Sequence, residues 1–258
     1  MPSANPGMFS IIVCSNRPVL AEAVRRHYAT LFESRESEFI LVDDATSLSE
    51  GYTRGVQRSR GEHLVFSHDD VEFVSPDVAL RLRQHLRDHD VVGIAGATRM
   101  VDGAWFDAGD PYTFGLVIYP DQGGQYTIRY VGAGPRCVSQ IHALDGCFIA
   151  CRREVAETVG FDAETFDGFH FYDVDFTFRA HLRGYRLAVC RDLALIHASQ
   201  GNFDDTWQRY RERFEAKHAG RLAPGAPAPM RVVGARLRKD QLAAFCESTT
   251  LPRAIGSG

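Results

Sequence analysis

FILVDDATSLSEGYTRGVQRSRGEHLVFSHDDVEF, residues Phe39–Phe73, is the stretch on which the fold turns. Two short apolar runs, EFILV (Glu38–Val42) and EHLVFS (Glu62–Ser67), have the pattern of buried parallel strands. Each ends in polar residues: Asp43 and Asp44 after the first, His68, Asp69 and Asp70 after the second. Between them Ser47 and Glu50 are spaced as a capping box and predict a helix running to Val56. In open α/β sheets ligands bind beyond the carboxyl ends of the strands, so acids placed there are candidate ligand groups. Aspartate also favours turns and helix caps, and for Asp43 and Asp44 that reading stays open. At Asp69 and Asp70 adjacent acids repel each other and add no packing. A cation or polar ligand is the natural compensation, and Mg²⁺ and Mn²⁺ prefer carboxylate oxygen.

The same alternation extends to both sides. FSIIVCS (Phe9–Ser15) predicts a strand, and Pro18 opens a helix to about Leu31. Pro76 starts a helix to about Asp88, and VVGIAG (Val91–Gly96) predicts a further strand. This pattern predicts an α/β fold, a mostly parallel sheet with helices on both faces. From Ala104 to Gln140 the chain turns rich in Gly, Tyr and turn residues, which reads as hairpins or a mobile insertion. ALDGCFIAC (Ala143–Cys151) then predicts a strand, followed by a helix from Arg152 that Gly160 stops. YDVDFTFRAHLRG (Tyr172–Gly184) predicts a helix, Arg186–Ser199 a strand, and Asp204–His218 an amphipathic helix. APGAPAP (Ala223–Pro229) reads as a linker before a last helix over about Ala235–Cys246.

Composition narrows the function. A formal charge of −4 over 258 residues leaves no basic footprint for nucleic acid. The six cysteines form no C-x-x-C pair and read as reduced core residues, which predicts a cytoplasmic protein. No apolar run reaches the ~18–20 residues of a membrane span. The expectation is a soluble chain, cytoplasmic or peripheral to the inner face of the membrane.

Two more features carry chemistry. Asp173 and Asp175 open one helix two residues apart and do not share a face. One can face a cleft while the other stabilises the helix N-terminus, or both can serve as caps. The aromatic run FHFY (Phe169–Tyr172) before them points to a partly buried site, where a carboxylate pKa rises towards a useful base. His197 closes an apolar strand; a lone histidine there is usually structural, and a ligand role is the alternative.

In this order and spacing, the pieces resemble family 2 glycosyltransferases with a GT-A fold, especially the streptomycin-biosynthesis-type subgroup. The resemblance runs from about Phe9 to Lys217 and rests on four blocks. They are FSIIVCSNRP, the Phe39–Phe73 stretch, LDGCFIACRREVAETVGFDAETFDGFHFYDVDFTFRAHLRGYRLAV (Leu144–Val189), and the trailing ALIH. The resemblance implies that Asp43 contacts the nucleotide base and Asp69 the ribose or sugar. It implies that Asp70 binds a divalent metal, Mn²⁺ or Mg²⁺, with His197 and with His68 as a further ligand. Asp145 and Gly146 fall where donor sugar and acceptor meet, and Asp173 matches the catalytic base. The implied partners are a nucleotide-sugar donor, UDP-linked by preference, and a saccharide, lipid-linked or small-molecule hydroxyl acceptor. Oligomeric state stays open. The implied organisation is a flexible N-terminus over 1–8, a GT-A domain over 9–220, and a linker and C-terminal helix with a flexible tail over 221–258.

The sequence departs from the family at three points. His68 stands at the first acid of D-x-D, Tyr172 at the glutamate before the base, and Thr53 at a common asparagine. Asp70-Val71-Glu72 offers a competing D-x-E. A nucleotidyltransferase is disfavoured because CSNRP (Cys14–Pro18) has no glycine for a phosphate loop. A metal-dependent phosphoesterase calls for a richer His/Asp set. A non-catalytic nucleotide-sugar-binding module remains the non-enzyme alternative.

Overall fold

The computed structural model describes residues 4–248. The expected tail IGSG and the first three residues lie outside that range. β1 (Asn5–Cys14) leads through α1 (Pro18–Leu31) to β2 (Ser37–Val42), then α2 (Leu48–Arg58) and β3 (Gly61–Ser67). β4 (Val71–Phe73), α3 (Val78–Asp88), β5 (Val91–Gly93) and β6 (Ala95–Ala97) follow. A hairpin of β7 (Thr113–Pro120) and β8 (Gln125–Val131) precedes β9 (Cys137–Ser139), β10 (Ala143–Leu144) and β11 (Phe148–Arg152). The rest is α4 (Arg153–Val159), α5 (Tyr172–Leu182), β12 (Leu187–Cys190), β13 (Leu195–His197), α6 (Asp205–Lys217), β14 (Val232–Arg238) and α7 (Lys239–Glu247).

The first sheet has the order β2-β1-β3-β11-β5-β12-β9. Its alternate residues point to opposite faces. Ile11, Val13 and Val65 pack with Val24 and Tyr28 of α1 and Leu82 and Leu86 of α3. Ile12, Leu64 and Phe66 pack with Tyr52 of α2, Val155 of α4 and Phe176 of α5. Helices therefore cover both faces, as the alternation predicts. α2 lies close on β1 because Gly51 and Gly55 face it. A Cβ there would come within 2.5 Å of Cys14 Sγ or 2.2 Å of Ile12 Cγ2.

The strand directions are mixed rather than mostly parallel. β1 pairs parallel with β2 and β3, and β5 with β12. β11 runs antiparallel to both β3 and β5, because the chain reverses in the turn Asp145–Cys147 and re-enters the sheet between them. The second sheet runs β10-β6-β7-β13-β4, with β8 on β7 and β14 on β8.

Four apolar stretches supply a strand to each sheet: β3 then β4, β5 then β6, β10 then β11, and β12 then β13. The expected single strands at Val91–Gly96, Ala143–Cys151 and Arg186–Ser199 are each two, broken where the chain crosses between sheets. Ala104–Gln140 is no loose insertion; β7 sits within the second sheet, between β6 and β13.

Both expected ends change. Residues 5–8 belong to β1 rather than to a flexible leader. Val232–Arg238 is a strand paired with β8, not the start of a helix, so the last helix begins at Lys239. Leu242 and Cys246 of α7 are buried with Leu116, Ile118 and Ile128, which ties the C-terminal segment into the second sheet.

Candidate active site

A cavity of about 650 Å³ opens where the two sheets meet, within the range of small-molecule sites. Its floor is His68, Asp145, Gly146 and His197, all at or beside sheet crossings. One wall is the hairpin, through Val117, Tyr119, Arg129 and Val131; another is the start of α5, including Asp173. Trp105, Phe169, Phe203 and Trp207 bring aromatic rings to the same space.

His68 Nδ1 lies 3.3 Å from His197 Nε2, and His197 Nε2 lies 3.3 Å from Asp70 Oδ1. The structure brings the three residues together, with ligand atoms all within 4.8 Å of one another. Asp70 Oδ2 also accepts from the Ser199 amide. Burial works against the charged form of Asp70, but the hydrogen bond and charge of His197 outweigh it. They hold the carboxyl well below the usual carboxylate range.

Hydrogen-bond logic fixes the His68 tautomer. Tyr172 Oη donates to the Gly146 carbonyl at 3.0 Å, since a carbonyl only accepts. The phenol has one proton, so at 2.8 Å its oxygen accepts from His68 Nε2–H. Nδ1 is then unprotonated, and its lone pair faces His197 and Asp70. Burial first, and the neighbouring His197 second, push His68 down to about 4, so it is neutral at pH 7. Two imidazole nitrogens and a carboxylate oxygen converging on one point fit a divalent transition ion, once His197 Nε2 gives up its proton in competition with the ion. Mn²⁺ suits this set better than Mg²⁺, which favours an all-oxygen shell.

Asp173 stands across the floor. Burial, and then the charge of Asp145, push it up to about 7. Asp145 is held by the Cys147 amide at 3.0 Å and by Trp105 Nε1 at 3.3 Å. Gly146 is required here, because a Cβ would lie 2.3 Å from Tyr172 Oη and 2.6 Å from Asp173 Oδ2. Asp175 points the other way. It is fully buried and pairs with Arg179 at 2.7 Å, Lys217 at 2.7 Å and His218 at 2.9 Å.

Of the expected residues, Asp70, Asp69 and Asp43 are not among those lining the cavity; Asp70 meets it through His197. Asp69 is buried, and its carboxylate accepts from Ser15 Oγ and from Arg17 Nε at 3.1 Å, which ties down the β1–α1 loop. Asp43 is exposed at the end of β2, beside the strand that leads to Ser15. Sequence reasoning missed Tyr172 as the bridge, Arg17 on Asp69, and Arg129. Among the described residues, Arg129 is the one lysine or arginine lining the cavity, and it stacks on Tyr119 at 4.8 Å. Its signal was present in the alternation of YTIRYV (Tyr126–Val131), which sets Arg129 on the face opposite Ile128 and Tyr130.

The family model of the glycosyltransferase-like family matches residues 10–218. The chain belongs to that family. The matched span agrees with the resemblance read from Phe9 to Lys217. Among solved structures, this glycosyltransferase-like chain is similar to the mannosyltransferase PcManGT from Pyrobaculum calidifontis, in complex with GDP-Man and Mn²⁺. Identity is 16%, with 88% of this chain and 68% of that chain covered at a TM-score of 0.50. That likeness supports the GT-A-like fold. A197 from STIV matches at 13% identity over 75% of this chain and 95% of that one, with a TM-score of 0.40. No curated protein matches. Among the described residues, no helix is long and apolar enough to cross a membrane.

Proposed function

We propose that the chain transfers a sugar from a nucleoside diphosphate sugar to an acceptor hydroxyl by direct displacement, with inversion at the anomeric carbon. The observation that carries this reading is the pairing, across one cavity floor, of a neutral-range carboxylate with a metal-type triad. Asp173, raised to about 7, is poised to accept a proton near neutral pH. The acceptor O–H gives its proton to Asp173 as its oxygen bonds the anomeric carbon, and the bond from that carbon to the diphosphate breaks. His68, Asp70 and His197 are the residues to hold Mn²⁺ or Mg²⁺. When bound, the ion supplies positive charge against the departing diphosphate and orients it. Arg129 adds a fixed cation on the hairpin wall. The aromatic rim excludes water, which would otherwise compete with the acceptor.

In this proposal Asp145 and Gly146 border the donor sugar. Asp43 and the Asp69-held loop at Ser15 and Arg17 lie on the nucleotide side. The donor is taken as UDP-linked by preference. PcManGT, which binds GDP-Man, makes GDP-mannose the second donor to assay. The acceptor is a saccharide, a lipid-linked sugar or a small-molecule alcohol, and the chain works in the cytoplasm or at the inner membrane face.

The test is a panel of UDP- and GDP-sugars with Mn²⁺, read by thermal shift. A donor at ~100 times its dissociation constant adds about 2.7 kcal/mol. Hits are then followed by NMR of the product formed on an acceptor panel. Binding followed by an inverted anomeric linkage is expected. A retained linkage removes the displacement mechanism, and binding without turnover on every acceptor favours the non-catalytic module.

A further inference from the structure

At the β9 edge of the first sheet, outside the cavity lining, a second set of ligand-type side chains converges. Cys137 of β9 and Cys190 of β12 are direct partners in the antiparallel pairing, and their sulfurs lie 3.8 Å apart. His85 reaches down from α3, so that one ligand atom from each of the three residues lies within 4.8 Å of the others. Asp192, just past β12, adds a carboxylate whose oxygens are 2.9 and 3.0 Å from His85 Nε2. The set is enclosed. Cys190 is fully buried, and the side chains of His85 and Asp192 are 16% and 19% exposed.

We propose that Cys137, Cys190 and His85, with Asp192, form a zinc site that clips the edge strand β9 to α3. Two thiolates, an imidazole and a carboxylate are a zinc donor set. A tetrahedron with Zn–S bonds of about 2.3 Å puts its two sulfurs about 3.8 Å apart, the separation found here. The ligands come from three separate elements, so the ion ties together parts of the chain far apart in sequence. The mechanical need is local. β9 is the sheet's edge, three residues long, and follows the Gly132–Pro135 turn. A short edge strand has few ladder hydrogen bonds of its own to hold it. The inference does not rest on the transferase reading.

Cobalt substitution tests it, because the His68–Asp70–His197 triad contains no sulfur. Titrating the metal-free full chain with Co²⁺ is expected to give thiolate-to-cobalt charge-transfer absorption in the near ultraviolet. The band persists in the double variant Asp70→Ala/His197→Ala, weakens in Cys137→Ser and in Cys190→Ser, and disappears in the double variant Cys137→Ser/Cys190→Ser. Elemental analysis of the Asp70→Ala/His197→Ala protein, isolated without chelator, is expected to find about one zinc per chain, as for a closed structural site. Absence of the thiolate band in folded wild type overturns the proposal, whatever the serine variants do. So does a band that survives both serine substitutions, or a Cys137–Cys190 disulfide in zinc-free protein as isolated.

Discussion

At the scale of single residues, the two aspartates that open α5 have opposite roles. Asp173, raised to about 7, is protonated below that value and cannot act as a base. We expect kcat/KM to climb with pH up to about 7 and then level off, and the profile to vanish in Asp173→Asn. That variant should bind donor and metal normally while turnover falls by ~10²–10⁴-fold. Asp175 carries structure. Burial opposes its charge, but His218, Arg179 and Lys217 lower its pKa overall. It therefore adds stability above the unfolded value of about 4 and loses it as pH falls through its lower folded value. Asp175→Asn is expected to cost about 3 kcal/mol in denaturant unfolding, since it leaves buried cations short of a partner. A third residue joins the two sides of the floor. Tyr172→Phe removes the acceptor that keeps His68 in its Nε2–H form. Metal affinity, measured by titration calorimetry with Mn²⁺, is expected to drop about 10–100-fold, as for other outer-sphere losses.

At the scale of elements, the turn from β10 to β11 and the first turn of α5 are fitted to each other. Gly146→Ala would force its Cβ against Tyr172 Oη and the Asp173 side chain, so α5 must shift. The expected result is ~1–3 kcal/mol of lost stability and a fall in kcat larger than any change in donor KM. Unaltered kinetics would show that the turn has room to spare. What was legible in the sequence follows the range of the interactions. The Ser47 cap was readable because it is local; its hydroxyl accepts from the Glu50 amide at 3.1 Å. Glu50 in turn reaches Thr46 rather than Ser47. The acids at Asp70 and Asp173 could be singled out because one follows a recognisable strand and the other opens a recognisable helix. The breaks at Ile94, Asp145 and Arg191 were not, since both halves of each stretch are buried and a buried strand looks the same in either sheet. The Tyr172–His68 contact spans 104 positions and leaves no periodic trace. Ala235–Arg238 was read as the start of the last helix because the helical pattern runs on from it, while its strand character depends on β8, a distant partner.

At the scale of the whole molecule, the second sheet is completed from the C-terminus. β14 covers the free edge of β8, and α7 covers Leu116, Ile118 and Ile128. Removing residues 231–258 uncovers a seven-residue strand edge together with that apolar surface. The shortened chain is expected to aggregate rather than run as the full chain does on size exclusion, although the family match ends at residue 218. A monodisperse, donor-binding truncation would show that the second sheet stands without it.

The four crossings between sheets bear on how such a protein diversifies. His68, Gly146 and His197 on the floor, and Asp70 next to His197, sit on or beside backbone pinned by ladder hydrogen bonds, so a change there disturbs two sheets at once. Phe169 and Phe203 sit on exposed rim segments, at 57% and 61% exposure, and answer to no ladder. In lineages descended from a common ancestor, new acceptor preferences should therefore accumulate as rim substitutions and loop insertions, while the floor is inherited intact.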